Sequence, residues 1–121
     1  MKTEQPILIT TVNIAGSYFG VPTTFSKNTF CGIDGGITAA ADPSLGVIYE
    51  NHTLETVADT HQLPVIVSGI ALVKSGAAVA AGVALEKDNS GRVIAQTTGY
   101  LVGVSLDEAT GANELIRVLI K

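Results

Sequence analysis

The side chains that could do chemistry are concentrated in one short polar segment of the sequence. His52 and His61 lie there with the acidic residues Glu50, Glu55 and Asp59, between two apolar runs. Imidazole and carboxylate groups are common ligands of zinc and similar ions, so a metal site is one interpretation of the segment. The spacing matches neither His-Glu-x-x-His nor a motif with paired cysteines. We therefore interpret the segment as a solvated loop and predict no metal site.

Cys31 is the only cysteine, and a histidine could in principle act as its base in nucleophilic catalysis. It stands in the sequence Thr-Phe-Cys-Gly-Ile, where no neighbouring group would activate a thiol, so we expect a buried structural residue. The 13 glycines form no nucleophile elbow, phosphate-binding loop or dinucleotide fingerprint. The sequence therefore predicts no catalytic residue and no cofactor, and we expect that the protein is not an enzyme.

Composition and charge narrow the range of partners. Only 15% of the 121 residues are charged, whereas 46% are hydrophobic. A monomer normally keeps a charged surface for solubility, so this composition favours an oligomer or a component of an assembly. The net charge is −4 with only seven basic residues, which argues against nucleic acid or an anionic membrane as a partner.

Neither a membrane helix nor a secretory signal is expected. The longest apolar region, residues 70–85, is interrupted by Lys74-Ser75-Gly76 and falls short of the roughly 18 uninterrupted apolar residues that a span requires. Near the N-terminus only Ile7-Leu8-Ile9 is uninterrupted, which is too short for the core of a signal peptide. We expect synthesis in the cytoplasm.

The remaining sequence has the pattern of an all-β protein of one domain. Short runs rich in β-branched residues alternate with Gly, Asn and Asp turn signals. The Ala-rich segment 77–85 suits a helix by propensity but is too short for one, so strand or loop is predicted. We predict a compact sandwich or barrel of short strands at residues 29–33, 37–40, 45–49, 63–67, 70–73, 83–86, 92–95, 101–106 and 114–120, with turns at 88–91 and 111–113.

An internal degenerate repeat supports this fold class. Both halves of the chain contain a Gly turn, a returning strand, a Gly-Val strand, a loop and a final apolar strand. The alignment of the two copies matches Gly35 with Gly91, Gly46 with Gly103, and residues 64–67 with residues 115–118. The repeat is informative about the fold and not about chemistry.

The first 26 residues are predicted to form an extended N-terminal arm. The domain proper would then span 27–121, with pseudo-repeat halves 27–73 and 74–121. Between Gln5 and Ser26 there is no charged residue, and aromatic residues are concentrated there, as at the centres of protein interfaces. The opposite interpretation stays open, in which this segment is an ordinary first strand and its aromatics fill the core.

The candidate contact residues of the arm are Ile7, Ile9, Tyr18, Phe19 and Phe25. We expect them to contact a partner protein or a neighbouring subunit. If they do so as an arm, deletion of residues 1–19 should leave folding intact. If the segment is a first strand, the same deletion should prevent folding.

Four motifs of the C-terminal half follow a recognisable pattern, at residues 68–73 (Ser-Gly-Ile-Ala-Leu-Val), 76–82 (Gly-Ala-Ala-Val-Ala-Ala-Gly), 90–93 (Ser-Gly-Arg-Val) and 114–120 (Glu-Leu-Ile-Arg-Val-Leu-Ile). In these motifs the chain resembles the capsid cement, or decoration, proteins of tailed phages. The likeness covers about residues 32–121 and is weaker through the segment with the two histidines. In two places the chain departs from the family pattern: Val83 replaces an Asp, and Asn89-Ser90-Gly91 replaces an Asn-Gly turn.

The resemblance implies homotrimers on the outer surface of an assembled head, at threefold and quasi-threefold positions of the major capsid protein. It implies location in the virion, after assembly in the host cytoplasm, and stabilisation of the shell against the pressure of packaged DNA. Two alternatives remain. One is a trimeric all-β enzyme with sites between subunits, built on His52, Asp59 and His61, and the other is the base of a head fibre.

Overall fold

The computed structural model describes residues 4–19, 22–33, 36 and 43–120. Over these residues the protein is all-β, as predicted, and its main sheet curls into a half-barrel. One helical turn, α1, is present, and no helix in these ranges has the length and apolar character that crossing a membrane requires. In chain order the elements are β1 Gln5–Ala15, α1 Gly16–Phe19, β2 Thr23–Phe25, β3 Phe30–Cys31, β4 Gly46–Ile48, β5 His52–Leu54, β6 Thr60–Lys74, β7 Ala84–Lys87, β8 Val93–Ala95, β9 Gly103–Ser105 and β10 Leu115–Ile120.

The central element is β6, a strand of 15 residues that pairs antiparallel with β1, β4 and β10. Ile66 of β6 pairs with Ile9 of β1 and with Val47 of β4, so β1 and β4 lie on opposite edges of β6. The main sheet has the order β3-β4-β6-β10-β9-β7-β8, with β1 beside β6. β2 and β5 form a separate two-stranded sheet.

β6 is continuous where the sequence predicted two strands, 63–67 and 70–73. Gly69 lies between them with a φ of +104°, a backbone conformation that residues with a side chain rarely adopt. A Cβ atom there would lie 2.5 Å from the backbone of Gln5 and of Ile7 in β1. The glycine therefore permits a close approach of two strands and does not end one.

This junction contains a β-bulge. The register between β1 and β6 shifts on both sides of Leu8, which pairs with Ser68. One extra residue, Ile7, lies in β1 and another, Val67, lies in β6, and each changes which face the following side chains of its strand occupy. As a result Ile66 before the bulge and Ala71 and Val73 after it belong to the same hydrophobic cluster.

Buried apolar side chains form two clusters on opposite faces of the sheet. In β3, Phe30 belongs to the larger cluster and the next residue, Cys31, to the smaller one; in β4, Val47 and Ile48 divide in the same way. These strands are therefore buried on both faces, as their continuous apolar sequences indicate. The larger cluster comprises Phe30, Val47, Ile66, Ala71, Val73, Val79, Leu85, Val93, Val102, Ala109, Ile116 and Val118; the smaller comprises Ile14, Phe25, Cys31, Ile48, Leu54, Leu63 and Val65.

The other predicted elements agree in type more closely than in length. The turn after β7 is closed by the carboxylate of Asp88, which accepts hydrogen bonds from the backbone N–H groups of Ser90 and Arg92. The Ala-rich segment is a loop that leads into β7, as the prediction of strand or loop allowed. β5 was not predicted, since it lies in the segment interpreted as a loop. The predicted strand 37–40 and Gly35 lie outside the described residues.

Gly46 and Gly103, which the sequence repeat matches, occupy equivalent places. Gly46 lies in β4, which has β3 and β6 as its neighbours in the strand order, and Gly103 lies in β9, which has β7 and β10 as its neighbours. A Cβ atom at Gly46 would collide with the carbonyl oxygen of Ile66, and one at Gly103 would lie 2.5 Å from that of Leu119. Ile66 thus corresponds to Leu119, whereas the sequence alignment matched it with Arg117. The contacts of these two glycines thus differ from the sequence alignment by two residues in the last strand.

We predict that Gly103→Ala and Gly46→Ala each lower the free energy of unfolding by about 1–3 kcal/mol, since the new methyl group meets backbone that must move. Gly111→Ala is the matched control, because the nearest atom to its Cβ would be a Glu114 carboxylate oxygen at 3.8 Å. Urea denaturation measures both changes. An unfolding midpoint of Gly103→Ala equal to that of Gly111→Ala would contradict the close approach.

Candidate functional site

β1 is the first strand of the sheet and is held in place by its pairing with β6. From Ile9 to Ala15 it pairs residue by residue with β6, and Ile14 is buried in the smaller cluster. The strand ends where the N–H of Gly16 donates to the carbonyl oxygen of Asp59 at 2.9 Å. The alternative interpretation of the sequence therefore holds for Gln5–Ala15. Deletion of residues 1–19 would remove this strand and the buried Ile14, so we expect it to impair folding.

The start of β1 nevertheless has the character expected of a contact surface. The side chains of Ile7, Leu8 and Ile9 are 81%, 55% and 41% exposed. Burial of one such side chain in a complex contributes about 1.5–3 kcal/mol. Because the strand that carries them is anchored at its other end, the surface is held in place before any partner binds.

The aromatic candidates have a different position. Phe25 is 1% exposed and lies in the smaller cluster, where the half-buried ring of Phe19 meets it edge-on at 5.1 Å between centroids. Phe25 is therefore a core residue, which corrects its prediction as a contact residue, and Phe19 supports that core. Tyr18 belongs to α1, but its side chain lies outside the described part of the structure.

A second apolar surface lies on the outer face of β10, and the sequence analysis did not single it out. Leu115 and Leu119 are exposed, while Ile116 and Val118 between them are buried. Leu119 pairs with Ile70 of β6 and with Val104 of β9, whose half-buried side chains share its face. The sequence of β10 indicated this surface, because it is apolar at every position except Arg117. Such a strand is typical of burial on both faces, and here one face is exposed.

The one charged residue of β10, Arg117, is neutralised on this face. Its guanidinium donates two hydrogen bonds to Asp107, with Nε to Oδ2 at 3.0 Å and Nη2 to Oδ1 at 2.9 Å. These bonds and the charge of Asp107 raise the pKa of Arg117 above its usual value. The bidentate geometry pairs the charge of Arg117 with that of Asp107 on this face.

The two histidines are brought together by the fold. His52 of β5 and His61 of β6 have ring centroids 5.3 Å apart with an angle of 36° between the rings. The Nε2 atom of His52 lies 3.6 Å from a carboxylate oxygen of Glu50, too far for a hydrogen bond. This nitrogen is buried and has no hydrogen-bond partner among the described residues. The segment predicted as a solvated loop thus contains a short strand, β5.

Asp59 has a structural task in the same segment. Its Oδ2 atom accepts hydrogen bonds from the backbone N–H groups of Thr56 at 2.9 Å and Glu55 at 2.7 Å. The bonds from Thr56 and then Glu55 lower the pKa of Asp59 below its ordinary 3.8. The carboxylate closes a turn and is thereby committed to the backbone.

Within the described ranges, no group of three or more His, Cys, Asp or Glu side chains could hold a metal ion. An open depression of about 430 Å³ lies beside His61, at the end of the β1–β6 pairing. The side chain of Cys31 is 0% exposed, so the expectation that this thiol is buried is confirmed. The depression is lined by Asn13, Ile14, Ala15, Thr60, His61 and Gln62.

Comparisons of the chain with protein-family models, with curated proteins and with solved structures found no match. We define the candidate site by its geometry as the exposed start of β1 together with the outer face of β10. The two parts adjoin at Ile70, which pairs with Gln5 of β1 on one edge and with Leu119 of β10 on the other.

We predict that Ile7→Ser changes the free energy of unfolding by less than about 0.5 kcal/mol, because the side chain is exposed in the free protein. Phe25→Ala should cost about 3–5 kcal/mol, because it empties part of the smaller cluster. Chemical denaturation of both variants tests the assignment. Equal losses would mean that Ile7 packs inside the free protein.

We predict that Asp59→Asn is less stable than the wild type at neutral pH and that the difference disappears in acid. The folded chain holds the pKa of Asp59 below 3.8, so the stability it contributes is present above that value and is lost as the pH falls through the lower folded pKa. Thermal unfolding midpoints from about pH 7 to about pH 2 measure this. Glu108→Gln, at an exposed side chain, is the control. Parallel curves for wild type and Asp59→Asn would refute the stabilising role of the carboxylate.

Proposed function

We propose that the protein is a capsid decoration protein that binds the outer surface of an assembled phage head and stabilises it. It acts as a homotrimer at threefold and quasi-threefold positions, with the major capsid protein as its partner. The observation that carries the proposal is the exposed apolar run at residues 7–9, fixed to a seated strand. The resemblance of the C-terminal half to cement proteins supplies the class of partner.

A decoration protein needs one surface for its own copies and another for the shell. The apolar face of β10 suits contact between copies, and the start of β1 suits the shell. Because the two surfaces adjoin at Ile70, three copies that meet through β10 would bring three β1 strands close to one axis. Three weak contacts on one particle then bind tightly through their high effective concentration.

The stabilising action requires no chemical step. A binder that spans neighbouring capsid subunits adds contact area that must be lost before the shell can open, and so it opposes the pressure of packaged DNA. The low charge of the chain, 15% of residues, fits a protein whose surface is largely covered in its working state. The threefold site is complete only when capsid subunits have reached their mature positions, so binding would report on maturation.

The alternative of an enzyme with sites between subunits is favoured by one observation, the proximity of His52 to His61 beside an open depression. The base of a head fibre would need a further module facing outward. Under our proposal, the double substitution His52→Ala/His61→Ala leaves binding to shells unchanged. This variant therefore separates the enzyme from the decoration protein.

We predict that the wild-type protein sediments with purified, expanded, undecorated phage shells. The double variant Ile7→Ser/Ile9→Ser should bind these shells at least about tenfold more weakly, because it lacks two apolar side chains that become buried in the complex. Val57→Ser is the matched control, because Val57 is 63% exposed on a separate loop. Pelleting over a range of protein concentrations gives the affinities. Wild-type affinity of the double variant would remove β1 from the shell contact, and no sedimentation of the folded wild type with any shell would overturn the function.

A further inference from the structure

The outer edge of β1 has no partner strand among the residues that the structure describes, where β1 pairs with β6 alone. This edge therefore presents backbone N–H and C=O groups in the geometry that accepts a further strand. The side chains of Thr10, Thr11 and Asn13 are exposed, so little of the described part of the chain packs against this part of β1.

Open edges are normally protected, and this one has little protection. Proteins use charged side chains, prolines, bulges or very short strands to stop an edge from pairing. β1 is 11 residues long and has no charged residue. Pro6 and the bulge at Leu8 interrupt only its start, so the stretch from Ile9 to Ala15 is regular and unprotected.

We propose that the β1 edge of a second copy of this chain covers this stretch, with the two strands antiparallel about a twofold axis. Antiparallel pairing that uses the whole regular stretch is centred on its middle residue, Val12. It then places Ile9 opposite Ala15 and Thr11 opposite Asn13 of the other copy. Five of these seven residues, namely Ile9, Thr10, Thr11, Val12 and Ile14, are β-branched and favour a strand.

Charge favours a second copy as the occupant. Two chains with a net charge of −4 repel each other over most of their surfaces, and like charges opposite each other in a ladder are destabilising. The charge-free segment from Gln5 to Ser26 includes the whole of β1, so self-pairing there sets no charge against its equal. An isologous contact also saturates itself, which ends the pairing at two edges and prevents growth into a fibre.

The inference does not rest on the proposed function. The pairing uses the backbone of Ile9 to Ala15 and leaves the side chains of Ile7 and Leu8 available to another partner.

The particle mass in solution tests the contact. Thr11→Lys places like charges near the twofold axis, so light scattering should give half the wild-type mass at the same concentration. Thr98→Lys adds the same charge at an exposed site in the loop before β9 and should keep the wild-type mass. Equal unfolding midpoints of the two variants establish that Thr11→Lys is folded. An unchanged mass of Thr11→Lys would overturn the proposal.

The register is tested by cross-linking. Directly opposed residues have Cα atoms about 4.5–5.5 Å apart, which suits a disulfide. Chains with Thr11→Cys mixed with chains with Asn13→Cys should form a covalent dimer on mild oxidation, more than either variant does alone, and the buried Cys31 should not compete. Absence of the mixed dimer would overturn this pairing. Weaker sedimentation of Thr11→Lys with shells, without a change in mass, would assign the edge to a capsid strand and not to a second copy.

Discussion

The fold depends on the close approach of β1 to Gly69 in the middle of β6. At this point the backbones of the two strands are too near for any side chain, and the bulge changes the face on which the following residues lie. β6 can therefore place Ala71 and Val73, which follow the bulge, in the same larger cluster as Ile66, which precedes it. The same irregularity leaves Ile7 and Leu8 exposed at the start of β1. Core and candidate contact surface thus have one physical origin.

Much of the fold could be predicted from the sequence, because turn residues and β-branched runs act locally. The Asp88 turn, the Gly-Val strands and the matched glycines are of this kind. The continuity of β6 could not be predicted, since the sequence does not show that another strand approaches Gly69. The short strand β5 was not predicted for the same reason, because its partner β2 lies far from it in the sequence.

The candidate site could be predicted only in part. Lack of charge correctly indicated an unusual first segment, and Ile7 and Ile9 are indeed exposed. The same signal could not separate a contact residue from a core residue, so Phe25 was grouped with them although it is buried. Hydrophobicity is common to both environments, and only the packing of the smaller cluster distinguishes them. The outer face of β10 needed the register of β6 and β9 before its leucines could be seen to share a surface.

The pairing of β6 with both the first and the last strand governs how the chain must fold. β6 lies in the middle of the sequence, yet its edges are completed by β1 and by β10, each tens of residues away. Contacts between remote segments form slowly, because long loops must close before any stabilising contact is made. During synthesis, β6 leaves the ribosome before β10 exists, so its edge toward β10 stays open until β10 has been made. The growing chain therefore carries an unpaired strand edge for that time, which chaperones could protect.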